Sequence, residues 1–283
     1  MLRVVVLTTG QPNQAALCQK LAAHCDIVAI VLSDNRPRAA AARRWRQFRQ
    51  GLASRLVGRP FRQAWQQLQQ RYQASAPRFP EAPCARVSQI NDPQTLETLT
   101  RHRPDRVIVS GTNLVGRGII DWASQRGGMI NLHTGLSPYM RGGPNCTNWC
   151  LAEGALHLIG NTVHWLDAGI DAGPIVATEQ TPLTGHETLT DLHWKNMEHA
   201  HALCVRAVQR VAAGQPVPRV PQREIAEGRL FANRQWNGRA MRAAWANFTR
   251  SYTPHYFAGE DYRRQSSQLR LVSLDSSEAA CMS

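Results

Sequence analysis

The chain of 283 residues has no run approaching the ~20 consecutive apolar residues that a membrane-spanning helix requires, so no such helix is expected. Its first residues, Met1-Leu2-Arg3-Val4-Val5-Val6-Leu7, resemble a secretory leader only in outline. The apolar run is too short, and Thr8-Thr9-Gly10 reads as the turn after a first β-strand, which predicts a cytoplasmic protein. There is no Cys-x-x-Cys, and the seven cysteines lack regular spacing. An odd, irregular set argues against a disulfide framework and fits a reducing compartment. Cys146 and Cys150, four apart, do not make a zinc pattern, and no metal is expected. Acidic residues are missing from one long stretch. Between Arg36 and Pro80 there is no lysine, aspartate or glutamate, yet there are eleven arginines, which supply most of the net charge of +13. A field this local suits one anionic patch on a partner better than a surface tracking a nucleic-acid backbone, so nucleic acid is not the expected partner.

What is present has the rhythm of an α/β fold. Leu2–Leu7 and Ile27–Leu32 read as buried strands separated by a helix over Gln14–His24. Within the arginine-rich stretch, Trp45, Phe48, Leu52 and Leu56 have helical spacing. Gly58-Arg59-Pro60 breaks it, and Phe61, Trp65, Leu68 and Tyr72 mark a second helical piece. Ala85–Val87 reads as a short strand, and Asp92-Pro93 as a helix start with an acceptor at the N-cap. Arg106–Ser110 is β-branched and strand-like. Strands alternating with helices imply a mostly parallel sheet with helices on both faces. Further strands are expected over Thr162–Leu166 and Ile175–Thr178, and a long helix over Glu187–Ala213. Gly214-Gln215-Pro216-Val217-Pro218 divides a domain over 1–213, with its arginine-rich insert at about 36–80, from a small, mostly helical appendage over 214–283. From about Arg263 the tail is polar and reads as disordered. His186, His193, His199 and His201 contain no i, i+4 pair, so solvated positions are expected rather than a metal cluster.

The chemistry concentrates between Asn131 and Ile175. Asn131 and His133 stand two apart at the end of an apolar run, so on a strand they share one face. The loop Thr134-Gly135-Leu136-Ser137-Pro138-Tyr139-Met140-Arg141-Gly142-Gly143-Pro144-Asn145 follows, and Asp171 lies in a later glycine-bracketed turn. Loops at the carboxyl ends of strands are where open α/β sheets bind ligands. An amide, an imidazole and a carboxylate converging there can polarise a carbonyl and remove a proton, which is acyl-transfer chemistry. Cys146 reads as a small buried thiol, because the sequence places no base beside it.

Asn131-Leu132-His133, then Ser137-Pro138-Tyr139-Met140-Arg141-Gly142, then Asp171-Ala172-Gly173 resemble the signature of the formyltransferases that use 10-formyltetrahydrofolate. The resemblance covers residues 1 to about 210, with its specific motifs within 105–178, and implies a Rossmann-like core. It makes Asn131 a donor to the formyl oxygen, His133 the group stabilising the developing oxyanion, and Asp171 the acceptor of the amine's proton. It implies folate contacts at Asn113, Leu114 and Val115 and along Leu166, Asp167, Ala168, Gly169 and Ile170. Thr162 and His164 would support the site from a neighbouring strand. Ser137, Tyr139, Arg141, Arg43 and Arg46 are candidates for holding the acceptor. Two departures bear on specificity: Thr134-Gly135 stands where many members have proline and serine, and the arginine-rich insert is long.

The leading expectation is formyl transfer to the primary amine of a small anionic substrate, above all a nucleotide-linked amino sugar whose phosphates the arginines would meet. Hydrolysis of formyltetrahydrofolate is the alternative, counted against because the chain starts directly at the first strand. Glycinamide ribonucleotide and initiator tRNA are other acceptors, and a non-enzymatic folate-binding role is the outsider. The insert also suits a membrane surface, and a homodimer is open.

Overall fold

The computed structural model describes residues 1–35, 56–143, 145–167 and 172–275. Its elements run β1 (Arg3–Thr8), α1 (Pro12–Ala22), β2 (Asp26–Ser33), α2 (Arg59–Ser75), β3 (Cys84–Val87), α3 (Pro93–His102), β4 (Arg106–Ser110), α4 (Arg117–Ser124) and β5 (Met129–His133). They continue with β6 (Met140–Gly142), α5 (Cys146–Ala152), β7 (Gly160–Trp165), β8 (Ile175–Gln180), α6 (Leu189–Ala212), β9 (Arg229–Phe231), α7 (Gly238–Arg250), α8 (Pro254–Ala258) and α9 (Glu260–Ser267). The helical expectation for Trp45, Phe48 and Leu52 falls outside the described residues.

Seven strands form one sheet in the order β3-β2-β1-β4-β5-β7-β8. The pairs β2–β3, β1–β2, β1–β4 and β4–β5 are parallel, whereas β7 and β8 are antiparallel to their neighbours. Strand period two sends alternate residues to opposite faces, and each face of the parallel half is apolar. Val4, Val6, Ile30, Ile108, Ile130 and Leu132 pack with α1 and α6, while Val5, Leu7, Val31, Val107, Val109 and Met129 pack with α3 and α4. This is the Rossmann-like α/β arrangement. Strand order reverses about β1, so the carboxyl ends of β1 and β4 frame the crevice where such sheets take ligands.

Three local expectations need correcting. Asp92 does occupy the N-cap of α3, but its carboxylate accepts from the Gln89 N–H upstream (2.9 Å) and makes no cap bond to the helix. The tail is not disordered from Arg263, since α9 runs to Ser267 and Val272 is buried against the sheet. His193 and His201 are not solvated: both are buried, because α6 is covered by the sheet on one side and by α1 and α2 on the other. Burial holds the His193 imidazole down to about 4 and that of His201 to about 3, the latter aided by the nearby Lys20 ammonium, so both are neutral at physiological pH.

Residues beyond 213 share a core with the sheet domain. Phe231, Trp236, Ala244, Phe248, Tyr252 and Phe257 pack with Phe61, Trp149 and Leu192. Trp149 stacks on Phe231 at 4.4 Å and meets the edge of Trp236 at 5.2 Å. The seam also carries a buried carboxylate. Glu187 accepts from the Tyr252 hydroxyl (2.8 Å), the Thr184 hydroxyl (2.9 Å), the Gly185 N–H (2.8 Å) and the Lys195 ammonium. Gly185 takes φ +81° there, and a Cβ on it would lie 2.2 Å from the Thr253 carbonyl carbon, so no larger residue fits.

Candidate active site

β5 carries the predicted pair. Its register with β7 places Asn131 opposite His164 and His133 opposite Thr162. All four side chains stand on the face that holds Met129 of β5 itself and Val109 of the neighbouring β4, as the alternation dictates. The apolar core of that face therefore gives way to a polar cluster toward the end of β5.

Each polar group has a defined partner. Asn131 Nδ2 lies 2.9 Å from His164 Nε2, and His164 Nδ1 lies 2.9 Å from the Trp165 carbonyl. A carbonyl only accepts, so Nδ1 carries the His164 proton and Nε2 accepts from the Asn131 amide. Asn131 is thereby turned by a strand neighbour, with its amide oriented from behind. Thr162 is fully buried; its hydroxyl donates to the Gly135 carbonyl (2.7 Å) and accepts the Ser137 N–H (2.9 Å). It fastens the turn that directly follows His133. His133 Nε2 meets Cys146 Sγ at 3.4 Å. Cys146 is buried as expected, but the fold does bring a base beside it, which sequence spacing alone does not show.

The remaining candidates spread around this cluster. Asn113, Leu114 and Val115 follow β4, with the Leu114 side chain 60% exposed and its carbonyl bound by Asn91 Nδ2 (2.9 Å). That leaves an apolar side chain open to a ligand beside ordered backbone groups. Asn113 N–H donates to Asn35 Oδ1 (3.1 Å), tying this loop to the end of β2. Leu166 leaves β7 beside Met129, whose carbonyl accepts its N–H (2.9 Å), at the opposite end of β5 from His133; Asp167 follows it on the surface. Ala168, Gly169, Ile170 and Asp171 lie outside the described residues, as do Arg43 and Arg46. Ser137 is fully buried. Tyr139 is half-buried, and its hydroxyl accepts the Arg270 N–H (2.9 Å). Arg141 lies on β6 opposite Leu230 of β9, half-buried, with its Nε unpartnered. Among the described residues no group of three or more histidine, cysteine or acidic side chains is arranged to hold a metal ion, and no helix is long and apolar enough to cross a membrane.

The sequence does not announce α5 or, with it, the thiol that meets His133. Asn145 caps this helix by accepting the Asn148 N–H (3.2 Å), and Cys146 opens it. A cap residue after the Gly142-Gly143 pair was the available signal.

An α/β sheet whose polar crevice lies past the end of β5 defines a ligand-binding Rossmann-like protein. The family profile described as formyl transferase matches residues 2–208, and the chain belongs to that family. A methionyl-tRNA formyltransferase of Syntrophus aciditrophicus is 33% identical over 136 residues, 48% of this chain and 42% of the relative. One from Clostridium beijerinckii is 27% identical over 180 residues, 62% of this chain and 56% of the relative. The match thus spans about half the length of these curated relatives. Among solved structures, phosphoribosylglycinamide formyltransferase of Anaplasma phagocytophilum superposes with a TM-score of 0.53 at 18% identity, covering 82% of this chain and 98% of that one. A 4-N formyltransferase of Francisella tularensis gives 0.53 at 14%, covering 83% and 77%. At these identities the superpositions speak to the fold.

Proposed function

We propose that this protein transfers the formyl group of 10-formyltetrahydrofolate to the primary amine of a small anionic acceptor, most specifically a nucleotide-linked amino sugar. The observation that carries the reading is the cross-strand set Asn131–His164 and His133–Thr162 on one face, inside the part of the chain that matches the family. In the reaction the amine nitrogen bonds to the formyl carbon and the carbonyl electrons move to oxygen. Asn131 Nδ2 and the His133 imidazole donate to that oxyanion, where preoriented donors are worth most. Asp171 takes the ammonium proton, the carbon–nitrogen bond to the folate breaks, and the folate nitrogen recovers a proton. The exposed Leu114 side chain and its neighbours Asn113 and Val115 would take the pterin, and the resemblance adds Leu166 to Ile170 to the same role.

The acceptor assignment rests on charge. The arginines between 36 and 80 suit phosphates, and the sugar N-formyltransferases among the solved structures share the fold. Replacing Arg43, Arg44, Arg46 and Arg49 with glutamine should raise the acceptor's KM and leave kcat intact, the signature of lost uniform binding. A loss of vesicle binding in the same variant, with KM unchanged, would support a membrane-surface role for that segment instead.

The deciding assay follows tetrahydrofolate release against nucleotide-linked amino sugars, glycinamide ribonucleotide and initiator tRNA. Folate turnover should be slow alone and rise by orders of magnitude with the right amine, because positioning the nucleophile supplies much of the barrier reduction. Its product should be a formamide on the acceptor. Rapid formate release without any amine would make water the acceptor and overturn the transferase reading.

A further inference from the structure

Beside the proposed oxyanion-stabilising imidazole stands a thiol that the formyl-transfer chemistry does not call for. Cys146 Sγ lies 3.4 Å from His133 Nε2 and 3.3 Å from the Gly142 carbonyl, and the residue is 1% exposed. Gly135 closes the third side. A Cβ placed there would sit 2.5 Å from His133 Nε2, 2.8 Å from Cys146 Cβ and 2.9 Å from Cys146 Sγ. The sulfur and the imidazole can meet only because position 135 has no side chain.

Resting on the formyl-transfer reading, we propose that Cys146 is a positioning residue that fixes the ring and the tautomer of His133. A thiol has one proton and lone pairs on sulfur. The Gly142 carbonyl can only accept, so the proton goes there and the sulfur faces Nε2 as an acceptor. A sulfur acceptor places a hydrogen on His133 Nε2 and holds the plane of the ring. Placement on α5 makes this a rigid support, because Asn145 caps the helix one residue earlier. Thr162 holds the same turn from the opposite side through Gly135 and Ser137.

The test compares Cys146→Ala and Cys146→Ser with the wild type and with His133→Ala. Nitrogen NMR of ¹⁵N-histidine protein, with the His133 signal assigned by its loss in His133→Gln, should show the Nε2–H tautomer in the wild type. In Cys146→Ala it should become a mixture. The kcat of Cys146→Ala should fall about tenfold with the folate KM unchanged, as expected when a reacting group is misplaced rather than removed. Serine, which retains one donor and an acceptor, should restore most of that loss. An unchanged tautomer or an unchanged kcat in Cys146→Ala overturns the proposal. Full activity in His133→Ala would instead overturn the reading on which it rests, while the NMR comparison still decides whether the thiol sets the ring.

Discussion

In β1 every residue from Val4 to Leu7 is fully buried, alternate side chains entering the two cores, whereas β5 and β7 are apolar on one face only. Ile130, Leu132 and Val163 continue the core under α1 and α6, while Asn131, His133, Thr162 and His164 occupy the reverse. The parallel half is held chiefly by buried apolar area, where each fully buried Val or Leu contributes roughly 1.5–3 kcal/mol, with few buried polar side chains such as Thr8, whose hydroxyl donates to the Ser110 carbonyl. The antiparallel half buries apolar side chains on one side and carries hydrogen-bonded polar groups on the other. Polar residues there are tolerated because each has a partner, Asn131 with His164 across the strands, Thr162 with the Gly135–Ser137 turn and His133 with Cys146, since an orphaned buried group costs ~1–3 kcal/mol. Reversal of chain direction at β7 is what permits this: it sets His164 and Thr162 opposite Asn131 and His133.

The comparison breaks most visibly in activity. Asn131→Ala, His133→Ala and Asp171→Ala should each lower turnover per folded molecule by about 10²-fold or more, since the proposed function assigns these groups to the transition state. Val5→Ala in the parallel half should do the reverse, destabilising by roughly 1–3 kcal/mol with normal kcat per folded molecule. Steady-state kinetics beside urea denaturation separates the two classes; near-normal rates in two of the three polar variants would sink the catalytic assignment.

Next in size is the seam around Glu187. Its carboxylate is pushed up by burial but brought down further by hydrogen bonds from Lys195, Tyr252, its own backbone and Thr184, to about 2 against an ordinary 4.5. A carboxylate depressed in the folded state contributes stability that is complete above pH ~4.5 and is lost as pH falls toward ~2. Glu187→Ala should therefore cost about 2–4 kcal/mol at neutral pH, leaving Tyr252 and the Thr184–Gly185 turn unpaired. It should also flatten the decline of stability between those two pH values. An unaltered acid profile in this variant would remove Glu187 from the account.

Thr162→Val sharpens the comparison within the antiparallel half. It keeps volume but strands the Ser137 N–H and the Gly135 carbonyl, so ~1–3 kcal/mol of stability should go, together with several-fold in kcat as the turn beside His133 loosens. Equal activity would mean that the turn holds its shape without the clamp. The smallest effect belongs to Arg206→Gln on α6. Arg206 pairs with Glu179 of β8 at 2.6 Å, but both side chains are more than a third exposed, so less than about 1 kcal/mol should be lost and the loss should fade with salt.

The parallel half was the legible half. Continuous apolar runs such as Val4–Leu7 and Val107–Val109 have one stable fate in an α/β chain, and Arg106–Ser110 is bounded as expected. Asn131 and His133 were legible because strand period two fixes their common face. The thiol beside His133 was not, because α5 reaches it through a helix start and a glycine vacancy rather than through periodicity. Histidines on α6 were misjudged for a related reason. Their spacing resembles that of surface positions, and only the packing of α1 and α2 over the helix removes them from water. The β6–β9 pairing joins segments almost ninety residues apart through three residues each, too few for any pattern to announce.

The outer edge of β8 carries a last consequence. Ile175 exchanges both backbone hydrogen bonds with Val220, and Thr178 donates its N–H to the Val272 carbonyl while its hydroxyl accepts the Val272 N–H. An edge strand with free amides is a template for another molecule's strand. These two short chain segments occupy that template, so their contribution reaches beyond folding energy to colloidal behaviour. Clipping the polypeptide before Leu271 should leave the polar face of β5 and β7 in place on a particle that sticks to its own kind.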